Sequence, residues 1–479
     1  MKIYKKGLAT LAALGLAVSM AACTSPSSDP TEPGTASDPG TQTSEPTNET
    51  KIPLLVSGLL PGSTTDAYKR LAEQVADFEK NNPGIDVITM DYEWKATTFA
   101  ADLAGGTLPD VFEIPFTDGK TLIANKQIAN LNSLLGEFPY GGAFNEGVLQ
   151  YGKGTDDQVY AIPAKSIYGV GLHYNRDLFT QAGLDPNKPP TTWDEVRTYA
   201  KTISDKTNTA GFCQMAMSNT GGWQLTVDTY SRGGRMETVD GDGKATATLT
   251  NDATKASLQF LKELRWTDNS MGSDFTYDWG SINQAFAAGK CGMYTSGQDV
   301  YVNLVDANGI DPAIYGLTTI PMDGADSGVL GGGTLAAVSV NASDETKAAA
   351  VKWISYFYLG RYVDEASAVA YTQIAVANNT PVGVPELPIF SDEALANYNK
   401  WIESYVNVPR DQMAPFTSNI GKLQLVNEPP VATQAVYAAL DPVVQAVLTE
   451  KDADIDALLK EANTIAQREI DRAQAPAEG

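Results

Sequence analysis

The sequence predicts an α/β protein built as two lobes. Three observations carry this. From Ile52 onward, apolar runs of strand length alternate with stretches of helical period. The order strand, helix, strand, helix, strand is complete by Ile114, the pattern of a lobe with a largely parallel sheet. A chain of 479 residues, 43% hydrophobic, is too long for one such lobe, and the α/β alternation resumes beyond it.

The first segment does not fold into this body. Lys2, Lys5 and Lys6 precede an uncharged run from Gly7 to Ala22 that is too short to persist as a membrane span. Residues 1–22 therefore read as a secretion signal. The stretch "SMAAC" resembles the lipobox of bacterial lipoproteins, which implies diacylglycerol on the Cys23 thiol; Met20 stands where leucine is commoner. An ordinary cleaved signal with an incidental Cys23 is the alternative. Residues 23–51 are Ser, Thr, Pro, Gly, Asp and Glu with almost nothing to bury, a disordered tether.

The folded part opens with "KIPLLVSGLLPG", a strand entering a glycine and proline loop. In "TTDAYKRLAEQVADFEKNNPG", Tyr68, Leu71, Val75 and Phe78 share a helical face that stops at Asn81, Asn82, Pro83 and Gly84. "IDVITMDYEW" is the second strand, "ATTFAADLAGGTLPD" the second helix and "DVFEI" the third strand. Later, "TTWDEVRTYAKTI" begins with Thr192 and Glu195 at capping-box spacing. A second α/β region runs through "GFCQMAM" and the helix "SINQAFAAG" to the strand "CGMYTSG". "GGGTLAAVSV" is one more strand, "ASDETKAAAVKWISYFYL" an amphipathic helix, and Ile455, Leu458, Leu459, Ala462 and Ile465 face one way near the C-terminus.

Composition excludes several function classes. A net charge of −24 argues against nucleic acid and against adhesion to anionic lipid. No later segment nears the roughly eighteen apolar residues of a membrane helix. Cys213 and Cys291 form no CxxC and have no nearby histidine, so no metal site is expected; in an exported protein they are either one disulfide or two buried thiols.

The segments "NNPGIDVITM", "LAGGTLPDVFEI", "YAIPAKSIYGVGLHYNRDLFTQAGL", "TTWDEVRTYA", "FAAGKCGMYTSG" and "GGGTLAAVSV" together resemble extracellular solute-binding protein family 1. These are carbohydrate-binding components of ABC importers, maltose-binding protein among them. The resemblance implies a two-lobed periplasmic-binding-protein-like fold of type II, with a hinge and an interlobe ligand cleft. It implies one lobe of residues 52–163 plus 321–377 and another of 164–320 plus 378–479. It further implies a monomer, exported and lipid-anchored on the outer face of the cytoplasmic membrane of a bacterium, the long tether suiting a Gram-positive cell wall. Its partners would be a membrane permease and a separate ATPase, since no GxxxxGK[ST] stretch is present here.

A saccharide offers weakly apolar faces edged with hydroxyls, so its pocket needs aromatic rings with carboxylates or amides at the carboxyl ends of strands. "DVFEIPFTDG" offers Phe116 and Asp118, with Glu113 earlier in the strand; the resemblance implies that an acid of this loop bonds sugar hydroxyls, whereas a helix cap is the plainer role for Asp118. "AKSIYGVGLHYN" offers Tyr168 at a position where the family often places a contact, while His173, Tyr174 and Asn175 read as structural. "SNTGGWQLTVD" puts Trp223 after two glycines in a loop, the leading stacking candidate; Trp193 and Trp353 read as core. "CGMYTSGQDVY" offers Gln298 and Asp299, the latter where maltose-binding protein carries a stacking tryptophan, or else an N-cap. Gly332 and Gly333 offer bare amides to a ligand or flexibility to a hinge, and Trp94 flanks the pocket or packs under the first helix.

These residues predict a binder of an oligosaccharide that works without a cofactor and breaks no bond. The alternatives are a non-sugar solute such as a polyamine, peptide or metal chelate, and an anchored glycoside hydrolase with two carboxylates about 5–10 Å apart.

Overall fold

The computed structural model describes residues 51–474 apart from 60, 62–64 and 242. The secretion signal, Cys23 and all but the last residue of the tether lie outside the described residues. Ten strands are present among them: β1 (Ile52–Ser57), β2 (Ile85–Met90), β3 (Val111–Pro115), β4 (Ala161–Asn175), β5 (Glu237–Val239), β6 (Ala245–Ala247), β7 (Met293–Gly297), β8 (Tyr315–Thr319), β9 (Val329–Val338) and β10 (Leu425–Asn427).

Eight of them form one curled sheet in the order β2-β1-β3-β9-β4-β7, with β8 also on β4 and β10 on β9. The opening βαβαβ unit is parallel, with Leu54 of β1 beside Val87 of β2 and Val56 beside Val111 of β3. Beyond it the expectation of a largely parallel sheet fails. β9 runs antiparallel to β3 and β4, and β4 runs antiparallel to β7 and β8.

β4 decides where a site can form. Its first part, from Ala161 to Gly169, pairs with β9, and its second part, from Val170, pairs with β7 and β8. The pairing slips on both sides of Lys165, and Ser166 takes a φ of 51°, a left-handed conformation unusual for a residue with a side chain. The strand thus bends at Lys165–Ser166 as it passes from one region to the other.

One continuous apolar core underlies both stretches of the sheet. On one side Leu54, Val56, Val111, Phe112 and Ile114 are buried, and Trp353 of the Asp344–Phe357 helix meets Phe78 edge to face at 5.2 Å. On the other, Leu172, Tyr174, Phe286, Tyr294 and Tyr315 are buried around His173. The His173 ring spans Tyr315 Oη (2.9 Å from Nδ1) and the Ser296 carbonyl oxygen (3.0 Å from Nε2), and burial lowers its pKa to about 4. It is a neutral core residue. Trp193 is likewise buried, and Thr192 and Glu195 form the capping box that starts its helix. Cys213 and Cys291 are joined in a disulfide with Cα atoms 6.0 Å apart. Farther along, Phe390 stacks on Phe144 at 4.8 Å, and Asn145 N–H donates to the Ile389 carbonyl at 2.8 Å.

Candidate functional site

Just past the bend, β4 at Tyr168 and the end of β7 open onto a cleft of ≈ 590 Å³. Four rings face it: Tyr168 from β4, Trp223 from the Thr220–Ser231 helix, Trp279 from the Trp279–Ala287 helix and Tyr437 from the Thr433–Thr449 helix. Between them stand Asn219, Asp299, Asn303, Asp306 and Gln434, and none of the lining residues is a lysine or arginine.

Trp223 lies in the first turn of a helix and not in a loop, contrary to the sequence expectation. The turn begins after Asn219, whose φ is 67°, and Asp441 accepts hydrogen bonds from the Asn219 and Gly222 N–H groups at 2.6 and 2.8 Å. Those bonds satisfy amide groups that a helix start leaves free. The adjacent glycines serve helix packing: a Cβ on Gly222 would sit 2.6 Å from Tyr437 Cα. Close approach of the two helices is what sets Trp223 and Tyr437 side by side.

Asp299 occupies the N-cap position of the Val300–Asp306 helix, yet its side chain makes no capping bond there. It is open to the cleft, and the surrounding walls raise its carboxyl above the ordinary range by desolvation. Tyr168 is half-buried beside it, with its hydroxyl pKa raised by desolvation and by the nearby Glu428 and Asp299 carboxyls.

Asp118 is in the first turn of the Phe116–Ala124 helix, but Pro115 holds the cap position. Its carboxyl accepts from the Thr117 hydroxyl at 3.0 Å, lies beside the Trp94 indole and is raised by desolvation. Trp94 itself packs on Phe99 at 4.8 Å. A residue that the sequence reading missed, Glu428, links this pair to the cleft. It follows β10 directly and interacts with Asp118 on one side and with Trp223 and Tyr437 on the other. Desolvation pushes the Glu428 carboxyl up to about 7. The buried Tyr437 hydroxyl lies beside it, and desolvation together with the Glu428 carboxyl raises its pKa.

Five expected contacts have other partners. Gln298 is buried, accepting from Gly169 N–H at 2.8 Å and donating to the Ile167 carbonyl at 3.2 Å, so its amide fixes β4 and does not line this cleft. Glu113 pairs with Lys165 at 2.7 Å and accepts from the Tyr358 hydroxyl at 2.9 Å. Phe116 is buried and stacks on Tyr151 at 4.7 Å. Gly332 and Gly333 make room for rings rather than baring amides: a Cβ would lie 2.7 Å from the Tyr168 ring at the first and 2.9 Å from Phe116 at the second. Trp223, Tyr168 and Asp299 share the cleft, with Asp118 and Trp94 joined to it through Glu428.

Residues 61–359 match the family described as bacterial extracellular solute-binding protein. The chain belongs to that family. Among curated relatives of this solute-binding protein, the putative ABC transporter periplasmic-binding protein YcjN of Escherichia coli is 26% identical over 231 residues, 47% of this chain and 50% of the relative. The sn-glycerol-3-phosphate-binding periplasmic protein UgpB of Pectobacterium atrosepticum is 24% identical over 285 residues, 54% of this chain and 59% of the relative. This chain thus spans half to three fifths of the relatives it matches.

Solved structures extend the likeness of fold over most of the solute-binding protein. The cyclic alpha-maltosyl-1,6-maltose binding protein from Arthrobacter globiformis has a TM-score of 0.66 at 19% identity, over 88% of this chain and all of that one (100%). UgpB from Mycobacterium tuberculosis, in complex with glycerophosphocholine, has a TM-score of 0.64 at 18% identity, over 88% and 98%. At such identities these establish the two-lobed fold, to which the bend in β4 belongs.

Proposed function

We propose that this solute-binding protein captures an uncharged carbohydrate, an oligosaccharide, in the cleft around Trp223 and presents it to the permease of an ABC importer. The carrying observation is the chemistry of the lining: four rings to cover C–H faces, with amides and carboxyls at their edges to accept from hydroxyls. Relatives named for sn-glycerol-3-phosphate raise the question of an anion. A cleft lined by Asp299 and Asp306 without a cation, with Glu428 behind, disfavours phosphate strongly.

The mechanism follows from the fold. Ligand touching both lobes shifts the hinge equilibrium toward the closed form, and the permease recognises that form. No bond in the ligand is broken. The lobes are taken as 52–163 plus 321–377 and 164–320 plus 378–479, and the packing of Phe390 on Phe144 supports a final crossing later than residue 378. Lipid on Cys23 holds the monomeric protein outside the cytoplasmic membrane of a Gram-positive cell.

The carboxyls favour one second reading, a polyamine. Calorimetric titration with a panel of neutral oligosaccharides, putrescine and sn-glycerol-3-phosphate decides between them. Heat with a saccharide alone supports the proposal, heat with putrescine alone replaces it, and new reducing ends after incubation would reveal a hydrolase.

A further inference from the structure

A second hollow of ≈ 270 Å³ lies on the other side of Asp299. Asp299 and Val302 line both spaces, so the two adjoin at the start of the Val300–Asp306 helix. The far wall comes from the Glu365–Ala377 helix and the loop after it, through Tyr371, Thr380 and Gly383. Sequence reading assigned nothing to this helix.

That wall has an unusual composition. Between Glu365 and Glu386 there is no charged side chain, in a protein that is 19% charged. Tyr371 is 50% exposed, one of the most exposed rings among the described residues. Its ring is nonetheless held in place, because the Arg361 guanidinium sits 4.6 Å from its centroid and 4.6 Å from that of Tyr362. Glu386 in turn accepts from Arg361 at 3.2 Å and from the Tyr362 hydroxyl at 2.5 Å. A backed ring with a bare face is a stacking platform.

The edges of the hollow are polar. Lys165, Ser166, Thr380 and Asp299 line it. Both cations at the wall are already matched, Lys165 by Glu113 at 2.7 Å and Arg361 by Glu386 at 3.2 Å. No unpaired positive charge remains to favour a phosphate or carboxylate substituent.

We infer that this hollow is an extension subsite which takes a further neutral sugar ring of the same chain, stacked on Tyr371, with Asp299 serving the junction between compartments. The inference rests on the carbohydrate reading above and adds to it a ligand length. The first compartment falls within the range of roughly 300–1,000 Å³ typical of small-molecule sites, so it holds a short saccharide by itself. The second rewards only ligands long enough to reach past Asp299.

The test is a titration series with the purified protein, using maltose to maltohexaose and cellobiose to cellohexaose, on wild type, Tyr371→Ala, Tyr371→Phe and Trp223→Ala. The expected result is a step of about three- to tenfold in affinity at one added unit, then a plateau. Tyr371→Ala removes the step and leaves the shortest binding saccharide unchanged, Tyr371→Phe keeps it, and Trp223→Ala weakens every length. Tyr371 is exposed at the groove, so its loss spares the core; unaltered circular dichroism and unaltered short-ligand affinity check this. Affinity independent of length, or equal loss for short and long ligands in Tyr371→Ala, overturns the subsite while leaving the carbohydrate reading intact. Absence of binding throughout both series overturns both.

Discussion

Asp228 gives a sharp physical test of the structure, because it lies on the helix that carries Trp223 and is fully buried. Neither carboxyl oxygen has a hydrogen-bond partner among the described residues. Arg232 offers only distant attraction: it donates to the Asp228 backbone carbonyl at 3.1 Å and lies over the Trp193 ring at 4.1 Å. Burial therefore raises the carboxyl from 3.8 to about 7. The folded state holds this proton more tightly than the unfolded state does. Stability from this group is then full below pH 3.8, falls as pH rises toward 7, and changes no further above that. The loss across this window is about 4 kcal/mol as an upper bound, with a slope of at most about 1.4 kcal/mol per pH unit. Asp228→Asn keeps the shape of the protonated acid and removes the titration. Urea denaturation followed by tryptophan fluorescence should find the two proteins equally stable near pH 4 and the variant more stable by about 2–4 kcal/mol at pH 8. Glu237 and Glu428 titrate in the same range, but they are common to both proteins and cancel in the difference. Stability curves that run parallel from pH 4 to 8 would refute an ionisable, unpartnered Asp228.

Three further outcomes are expected. Trp223→Ala should weaken binding of the cognate saccharide by about 1–3 kcal/mol with the far-ultraviolet spectrum unchanged, and calorimetry giving the wild-type affinity would remove Trp223 from the site. Replacing both Cys213 and Cys291 with alanine opens a link spanning 78 residues and should lower unfolding free energy by about 4–5 kcal/mol in the chain-entropy account; denaturation midpoints equal to those of the oxidised protein would contradict that. Cys23→Ala should release the protein into the culture medium, and its retention in the washed cell fraction would argue against the lipid.

Much of the fold was legible because it rests on local pattern. The helix stop at Asn82–Gly84, the capping box at Thr192 and Glu195, and the βαβαβ order all express rules that act within a few residues. The site was legible only in part. Trp223 and Asp299 stood out by residue type, but the two glycines before Trp223 looked like a loop, since the constraints on them at Tyr437 and Asp441 lie more than two hundred positions away. The partners of Gln298 and Glu113 were hidden for the same reason: those in β4 and at Tyr358 are distant in sequence. Glu428 carried one usable signal, an acid at the carboxyl end of a short strand just before Pro429 and Pro430. Trp279 carried another, an aromatic immediately after the Asp278 cap, 41% exposed and away from the buried stripe of its helix.

The position of Tyr168 joins site and hinge in one strand. The bend at Lys165–Ser166 lies near the end of the part of β4 paired to β9, shortly before pairing to β7 begins at Val170, and Tyr168 stands two residues beyond it, still opposite Gly332. The missing side chain at Gly332 lets the ring lie against β9, and Gln298 pins Gly169 just after it. Rotation about the bend must therefore move this ring relative to Asp118 and Trp94, which hang from β3 and β2 on the other side of β9. The Lys165–Glu113 pair spans that same joint, and with Lys165 half exposed it contributes only about 0–1 kcal/mol. Under the proposed function, a brace that weak leaves the hinge free to respond to a ligand that bridges Tyr168 and the Asp118 side, so that ligand contacts, rather than internal bonds of the protein, would set the balance between open and closed.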